Sequence, residues 1–314
     1  MISFVGSGPG DLELITAKGQ RRLQEADVVI YDRLVNPLLL FHCSKTCQFI
    51  YVGKTPYVAS MKQTEINQLL TIYGNKNQRV VRLKGGDPAI FGRLLEELAV
   101  CKENHISFEV IPGITAASGT AVYNGMPLTE RGQAQSVTFM TGRIQTSEEN
   151  HFPVMGKNQT ICLYMGVEAL KKFIPHLINQ GFLPDTKICA ISWGTYGRQQ
   201  KAVGTLLTIE DLIEKQKITN PAMIIVGEVV SNEASYNWFQ QLPKYGQRVL
   251  LVSTRSPEIS ELIAYTEKGA DVWWQQVGEK RDLRFDSISE RYLAEQSYHE
   301  VIFVDKKAKE LYQT

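Results

Sequence analysis

The sequence predicts an α/β fold with two consecutive α/β domains and a small C-terminal α/β segment. Short apolar runs rich in Val and Ile alternate with stretches that carry apolar residues at helical spacing. Proline and glycine interrupt this pattern at Pro112-Gly113, and a third segment begins near Gln241-Leu242-Pro243-Lys244. The 314 residues suit about two domains at roughly 150 residues each. We therefore expect domains over residues 1–112 and 113–240 and a further segment over residues 241–314.

The first domain is predicted to contain five strands joined by crossover helices. The strands are expected at residues 2–5, 28–31, 48–52, 79–83 and 108–111, and the helices at 16–25, 64–73 and 93–102. Single strands that alternate with helices are typical of α/β units.

The second domain and the C-terminal segment repeat this alternation. Strands are predicted at 136–141, 160–164, 187–192 and 222–226, and helices at 115–124 and 168–180, the latter closed by Gly181. In the last segment strands are expected at 248–253, 271–274 and 300–304, with helices at 258–267 and 287–295. Some seventy residues make a marginal core, so we expect this segment to need a neighbour on which to dock.

The composition excludes several classes of protein. A net charge of +1 gives no reason to expect a nucleic-acid partner. The five cysteines form no CxxC pair and the five histidines are scattered, so no metal site is predicted. No stretch approaches the ~18 apolar residues of a membrane span, and the N-terminus has no basic leader, so we expect a cytoplasmic protein.

The loop after the first strand reads Gly6-Ser7-Gly8-Pro9-Gly10-Asp11. The third glycine of a dinucleotide fingerprint would fall on Asp11, and an acid there would repel a pyrophosphate. The loop is thus a poor phosphate cradle. Its glycines fit either the close approach of an uncharged or cationic ligand or simply a tight turn, and the sequence leaves both readings open.

A second glycine loop, Leu83-Lys84-Gly85-Gly86-Asp87-Pro88, also follows a predicted strand. Ligands of open α/β sheets bind beyond the carboxyl ends of the strands, where paired glycines would let a ligand lie on the backbone. Asp87 could accept hydrogen bonds from ribose hydroxyls or balance a sulfonium charge. A turn before a helix, with proline at its first position, explains the same residues equally well.

Asp32 and Lys54 each follow a predicted strand, as an acid and a base that could serve one cleft as proton acceptor and donor. A solvated ion pair is the alternative. The sequence contains neither a GxSxG elbow nor a GxxxxGK[ST] loop, so serine hydrolases and P-loop nucleotidases are not supported.

Taken in order, these motifs resemble the tetrapyrrole methylases, and within them the branch that methylates uroporphyrinogen III. The resemblance covers residues 1 to 235. It is carried by Val5–Asp11, Ala26–Val35, Val52-Gly53-Lys54, Arg82–Pro88, Phe91-Gly92-Arg93, Pro112–Thr115, Pro127-Leu128-Thr129, Thr141-Gly142, Tyr164-Met165-Gly166, Gly194-Thr195 and Val226–Val230.

The resemblance implies a fold in which S-adenosylmethionine lies in a cleft between the two α/β domains, usually in a homodimer. It places the cofactor contacts on Pro9, Gly85, Gly86, Asp87, Ile90, Thr115, Ala116, Met165 and Gly194. It implies that Asp32 accepts a proton, that Lys54 donates one, and that Arg93 engages the tetrapyrrole. No metal is implied.

The implied reaction is the methylation of uroporphyrinogen III at C-2 and C-7, through precorrin-1 to precorrin-2, for sirohaem or cobalamin synthesis. Eight substrate carboxylates call for local cations, and the candidates near the motif ends are Arg33, Lys54, Arg82, Arg93 and Arg131. The alternatives are another methylase of the same superfamily, such as a corrin-ring enzyme or one that modifies protein or ribosomal RNA, or a non-catalytic protein that binds the cofactor or a tetrapyrrole.

Three stretches depart from the family pattern on the expected substrate side. Thr55-Pro56-Tyr57 replaces a usual Arg-Ala-Gly, Leu94-Leu95 replaces paired glycines, and Glu130 replaces a histidine. The segment from Val249 resembles the opening of uroporphyrinogen III synthase, but that synthase needs two such domains and only one fits here. We therefore expect a non-catalytic remnant that serves packing or dimer support.

Overall fold

The computed structural model describes residues 1–53, 61–143, 152–156 and 158–312. The chain forms two compact units. The first combines Met1–Thr115 with Pro243–Thr314, and the second comprises Ala116–Leu242. The C-terminal segment therefore shares a unit with the N-terminal residues.

The first unit contains a five-stranded sheet in which every neighbouring pair is parallel. Its strands are β1 (Ile2–Gly6), β2 (Val28–Tyr31), β3 (Gln48–Tyr51), β4 (Val80–Lys84) and β5 (Phe108–Ile111), in the order β3-β2-β4-β1-β5. The helices are α1 (Ala17–Glu25), α2 (Gln63–Gly74) and α3 (Leu94–Glu103), and short 3-10 helices occupy Leu12–Leu14 and Pro37–His42. The predicted α/β fold is confirmed.

Alternate residues of each strand face opposite layers of this unit. One layer packs Val5, Val29 and Leu83 with α1 and the 3-10 helices, and the other packs Phe4 and Ile30 with α2 and α3. The chain leaves β1 toward β2 on one side and leaves β4 toward β5 on the other. The connections thus diverge between β4 and β1, which is the topological switch point where open α/β sheets bind ligands.

The second unit contains a mixed sheet in which only β6 and β7 run parallel. Its strands are β6 (Ser136–Thr141), β7 (Gln159–Tyr164), β8 (Lys187–Ser192), β9 (Gln200–Thr205) and β10 (Ala222–Val226), in the order β6-β7-β10-β8-β9. The helices are α4 (Ala116–Tyr123), α5 (Leu170–Asn179), α6 (Ile209–Lys215) and α7 (Glu233–Tyr236). The sequence did not predict β9 or α6, because β9 is an edge strand without an apolar run and α6 has only seven residues.

The C-terminal segment forms a three-stranded parallel sheet that packs on the first unit's core. It comprises β11 (Arg248–Ser253), α8 (Ile259–Thr266), β12 (Asp271–Gln276), α9 (Asp286–Glu295), β13 (Glu300–Phe303) and α10 (Lys306–Tyr312), with strand order β12-β11-β13. The Phe285 ring stacks on the Phe41 ring at 4.1 Å and meets the edge of Phe49 at 5.4 Å. The guanidinium of Arg284 donates to the carbonyls of Ser44 and Cys47 at 2.8 and 2.7 Å.

Candidate active site

The loops that follow β1, β4 and β5 are interlocked through their backbones. Gly8 and Gly86 exchange hydrogen bonds of 3.2 and 2.8 Å, and both have left-handed backbones, with φ of 76° and 68°. A Cβ at Gly6 would lie 2.6 Å from the Cα of Gly113, and one at Gly113 would overlap the carbonyl oxygen of Gly86. Side chains cannot be accommodated where these loops cross, so loop packing alone requires several of the motif glycines.

Gly85 lies against the loop that follows β2. A Cβ at this position would stand 2.6 Å from the Cβ of Leu34. The absence of a side chain at residue 85 is therefore required by a neighbouring loop, whether or not a ligand lies on its other side.

The Asp87 carboxylate ties two of these loops together. Its Oδ1 accepts from the backbone N–H of Ala89 at 2.7 Å, and its Oδ2 accepts from the N–H of Gly113 at 3.1 Å. These two bonds fix the turn after β4 and hold it to the start of the loop after β5. Each carboxylate oxygen can accept a second hydrogen bond, so the half-buried group keeps acceptor capacity for a ligand.

A buried asparagine that the sequence did not single out joins the loops after β1 and β2. Asn36 donates to the carbonyl of Gly10 at 2.8 Å and accepts from the N–H of Leu38 at 3.1 Å. Half-buried Pro9 lies beside this junction, in the loop that ends at Gly10. An asparagine at a turn is common, and only the fold shows that this one is buried.

Asp32 lies directly after β2 at the same edge of the sheet. Its Oδ1 accepts from the N–H of Leu34 at 3.1 Å, and its Oδ2 lies 3.6 Å from Nη1 of Arg82. The side chain is 28% exposed, so it has one anchored oxygen, one oxygen near a cation, and access to solvent. Lys54, the expected proton donor, lies outside the described residues.

Arg82, Lys84 and Glu97 form a buried ionic cluster beneath Asp32. Arg82 Nε lies 3.4 Å from Glu97 Oε1, and Lys84 Nζ lies 2.9 Å from Glu97 Oε2. Burial lowers the pKa of Lys84, the neighbouring Arg82 lowers it further, and Glu97 opposes both. The Arg82 side chain is only 4% exposed. This residue is therefore not available to substrate carboxylates, contrary to the expectation from sequence.

Arg93 lies on the surface at the start of α3. Its backbone is left-handed, with φ of 53°, and its guanidinium donates to both carboxylate oxygens of Glu96 at 2.8 and 2.6 Å. Arg93 thereby lowers the pKa of Glu96. The arginine is half-exposed and could exchange this local partner for a substrate carboxylate.

Ile90 and Thr115 are half-buried in the first unit.

The departures from the family pattern have different surroundings. Residues 55–57 lie outside the described part of the chain. Leu95 is 81% exposed in the first turn of α3, and Leu94 packs on the core beside it. In the second unit Glu130 accepts from Asn232 at 2.9 Å.

In the second unit, the expected contact residues are arranged around α4. Ala116 opens this helix, and the backbone N–H of the helix's second residue donates to the Tyr164 hydroxyl at 3.3 Å. Met165, which follows Tyr164 in the chain, has a left-handed backbone and is 38% exposed. A Cβ at Gly194 would overlap Oγ1 of Thr120 on the same helix. The fold therefore brings together three positions that lie far apart in the chain.

A buried amide pair supports the segment that follows Gly194. Asn124 and Gln199 exchange hydrogen bonds of 3.2 and 2.9 Å, and the Thr195 N–H donates to the Gln199 side chain at 3.2 Å. The sequence did not indicate this pair, because neither residue type nor its spacing marks a buried network.

Neither metal ligation nor membrane crossing is indicated within the described residues. No group of His, Cys, Asp and Glu there could hold a metal ion. No helix in the same part of the chain is long and apolar enough to cross a membrane.

Comparison with known proteins gives consistent matches. The family model of the tetrapyrrole (corrin/porphyrin) methylases matches residues 1–210. The uroporphyrinogen-III C-methyltransferase of Bacillus subtilis is 40% identical over 276 residues, which cover 87% of this chain and 57% of the relative. The sirohaem synthase of Acinetobacter baylyi is 45% identical over 239 residues, which cover 76% of this chain and 52% of the relative. The chain thus spans about half the length of the curated relatives it matches.

A solved structure is similar over most of its length. The uroporphyrin-III C-methyltransferase of Thermus thermophilus, crystallised with S-adenosyl homocysteine, is 33% identical with a TM-score of 0.62. The match covers 73% of this chain and 98% of that one.

Proposed function

The chain belongs to the tetrapyrrole methylases, and we propose that it transfers methyl groups from S-adenosylmethionine to uroporphyrinogen III. The names of the relatives and the ligand of the Thermus thermophilus structure support this substrate and this cofactor. The observation that carries the proposal is the placement of Asp32. A partly exposed carboxylate stands at the strand edge where the glycine loops meet, anchored by one backbone N–H and one buried arginine.

The residues present fit the chemistry of this cofactor. The proposed contacts are Pro9, Gly85, Gly86, Asp87, Ile90, Thr115, Ala116, Met165 and Gly194. They contain a carboxylate, a thioether and no cation, which suits a ligand with a sulfonium charge, whereas phosphate groups in proteins are commonly paired with cationic side chains. The cofactor supplies the electrophilic methyl group.

The protein's own part in the reaction is to position the substrate and to remove a proton. A pyrrole β-carbon of the unoxidised macrocycle is electron-rich, so the main requirement is to hold it at attacking distance in a site that excludes water. One proton leaves for each methyl group gained, and Asp32 takes the proton whose loss restores conjugation. Lys54 keeps the role of proton donor that the family resemblance implies. Arg93 exchanges its pairing with Glu96 for a substrate carboxylate.

We propose further that two methylations occur, at C-2 and C-7, through precorrin-1 to precorrin-2, for sirohaem or cobalamin synthesis. The test is an anaerobic incubation of the full chain with S-adenosylmethionine and enzymatically made uroporphyrinogen III, followed by mass spectrometry. The macrocycle should gain two methyl groups. An unmodified macrocycle would reject the proposal and favour a non-catalytic binding protein.

Asp32→Asn tests the catalytic assignment. The variant keeps the size of the side chain but cannot act as a base at neutral pH. It should bind S-adenosyl homocysteine with unchanged affinity in calorimetry and methylate about a hundredfold to ten-thousandfold more slowly, the range of a general base. Full activity would remove Asp32 from the mechanism.

We propose that residues 241–314 are non-catalytic and serve packing. Their three-stranded sheet packs on the N-terminal core through Phe285 and Arg284, in support of this role. The full chain incubated with hydroxymethylbilane should give no uroporphyrinogen III above the spontaneous background, and enzymatic formation of that isomer would refute the proposal. We also propose that the protein is a homodimer and that it lies in the cytoplasm. Light scattering of the purified protein tests whether it is a dimer.

A further inference from the structure

We infer that the buried ionic cluster of Arg82, Lys84 and Glu97 is a positioning device for the carboxylate of Asp32. The inference rests on the proposed methyl transfer, in which Asp32 is the proton acceptor. It assigns the cluster no contact with substrate or cofactor. Glu97 acts on Arg82, and Arg82 acts on Asp32.

Strand register explains why these groups meet. Arg82 pairs with Phe4 of β1 on one side and with Ile30 of β2 on the other. Alternate residues of a strand share a face, so Asp32, two residues beyond Ile30, lies on the face that carries Arg82 and Lys84. Arg82 Nη1 donates to the carbonyl of Leu83 at 3.0 Å and lies 3.6 Å from Oδ2 of Asp32.

Glu97 reaches the same face from α3. It is fully buried, and both of its oxygens lie near cations, at 3.4 Å from Arg82 and 2.9 Å from Lys84. Gln63 of α2 adds a hydrogen bond of 3.3 Å to Oε1. Glu97 is thus held by β4 and α2 at once, and it lies against Nε of Arg82 while Nη1 of the same guanidinium lies near Asp32.

The surroundings of the cluster argue against a purely stabilising role. Phe4 and Ile30, which flank Arg82 in the sheet, are completely buried. Buried ion pairs of this kind rarely stabilise a fold more than apolar residues of similar volume would. Arg82 and Lys84 lie at the end of β4 next to the partly exposed carboxylate of Asp32, and this placement favours a role in the site.

The consequence for Asp32 is a fixed orientation. Its Oδ1 is held by the N–H of Leu34 and its Oδ2 by the charge of Arg82, so the lone pairs on the exposed side keep one direction. If Glu97 lost its charge, Asp32 would be the carboxylate that remains paired with the Arg82 guanidinium among the described residues. The carboxylate would then turn inward and lose its alignment with the substrate proton.

The experiment compares Glu97→Gln with the wild-type full chain. Glutamine keeps the size of the side chain and removes its charge. We expect kcat to fall about tenfold to a hundredfold, the usual effect of misaligning a catalytic group by about an ångström. KM for both substrates and the affinity for S-adenosyl homocysteine should stay within about twofold, because the lost interaction acts only in the reaction step.

A matched control is Glu109→Gln on the same sheet. Glu109 is also a carboxylate with two cations, Arg22 Nε at 2.5 Å and Lys18 Nζ at 2.7 Å. It pairs in register with Ser3, near the start of β1, and so lies toward the opposite edge from Asp32. This variant should lose stability and keep the wild-type kcat.

A double-variant cycle separates positioning from damage. Combined with Asp32→Asn, Glu97→Gln should cause no further loss of kcat, because it acts through that residue. Arg82→Lys, which keeps a charge of shorter reach, should lower kcat and leave KM unchanged, and it replaces Glu97→Gln if that variant does not fold. A wild-type kcat in Glu97→Gln, or equal loss in the Asp32→Asn background, would overturn the inference. A wild-type chain that methylates nothing would instead overturn the proposed function.

Discussion

Phe285→Ala should strongly destabilise the first unit, because this ring joins the C-terminal segment to the N-terminal sheet layer. The residue is 3% exposed and stacks on Phe41 with centroids 4.1 Å apart and planes inclined by 7°. It also meets the edge of Phe49. Removal of the ring leaves a cavity between two segments that lie more than two hundred residues apart in the chain.

The magnitude follows from the buried area. A buried Phe removes about 150–250 Å² from water, which at ~25 cal/mol per Å² amounts to about 4–6 kcal/mol as an upper bound. Large-to-small substitutions of Phe in cores cost about 3–5 kcal/mol. We therefore expect a loss of about 4 kcal/mol in the free energy of unfolding. For a unit of this size that corresponds to a fall in Tm of roughly 8–16 °C.

The measurement is differential scanning calorimetry of the full chain, with Leu283→Ala as the matched control. Leu283 belongs to the same short 3-10 helix, Leu283–Phe285, but is 65% exposed, so its truncation should change Tm by no more than about 2 °C. If Phe285→Ala and Leu283→Ala shifted Tm equally little, the C-terminal segment would not be an integral part of the first unit's core.

Three further predictions concern the loops and the pH dependence. Asp87→Asn leaves one side-chain oxygen for two backbone N–H groups, one of them that of Gly113. The variant should lose about 1–3 kcal/mol in the free energy of unfolding, measured by chemical denaturation, and should bind S-adenosyl homocysteine more weakly. Unchanged affinity would argue against Asp87 as a contact. Arg22 holds the pKa of Glu109 at about 2, below its ordinary 4.5. The stability that this ion pair contributes is therefore present above pH 4.5 and is lost as the pH falls toward 2. Glu109→Gln should flatten the dependence of Tm on pH in that window, and an unaltered slope would contradict the pairing. Gly194→Ala drives a Cβ into a helix side chain and should lower both Tm and cofactor affinity, whereas wild-type values would show that the helix can yield.

Leu34 restricts what can replace Gly85. A branched side chain there would meet Leu34 before it met any ligand. Loss of cofactor binding in Gly85→Val would therefore report a displaced loop as readily as a blocked cradle. Asp87→Asn adds no atoms against Leu34, and because it also weakens the bond to the Gly113 N–H, its affinity for S-adenosyl homocysteine is compared with its free energy of unfolding.

The sequence was sufficient for the α/β architecture and for the placement of the candidate site at the strand ends. Hydrophobic periodicity is a local property, so strands such as Val28–Tyr31 and helices such as Ala17–Glu25 could be predicted within one or two residues. Asp32 follows an apolar run directly and the paired glycines follow a predicted strand, which places them at the carboxyl edge of a parallel sheet before any contact is known. The weak elements, β9 and α6, were missed because their local signal is weak.

Only the tertiary structure decided what the charged and small residues of the site touch. Arg82 reads from sequence as a cation for substrate carboxylates, yet the fold buries it against Glu97, because a residue of the central strand faces whichever helix covers that layer. The need for glycine at residue 85 comes from Leu34, and the docking of the C-terminal segment comes from Phe285. These contacts join residues far apart in the chain, and their energies depend on burial and register, which no local pattern of residues encodes.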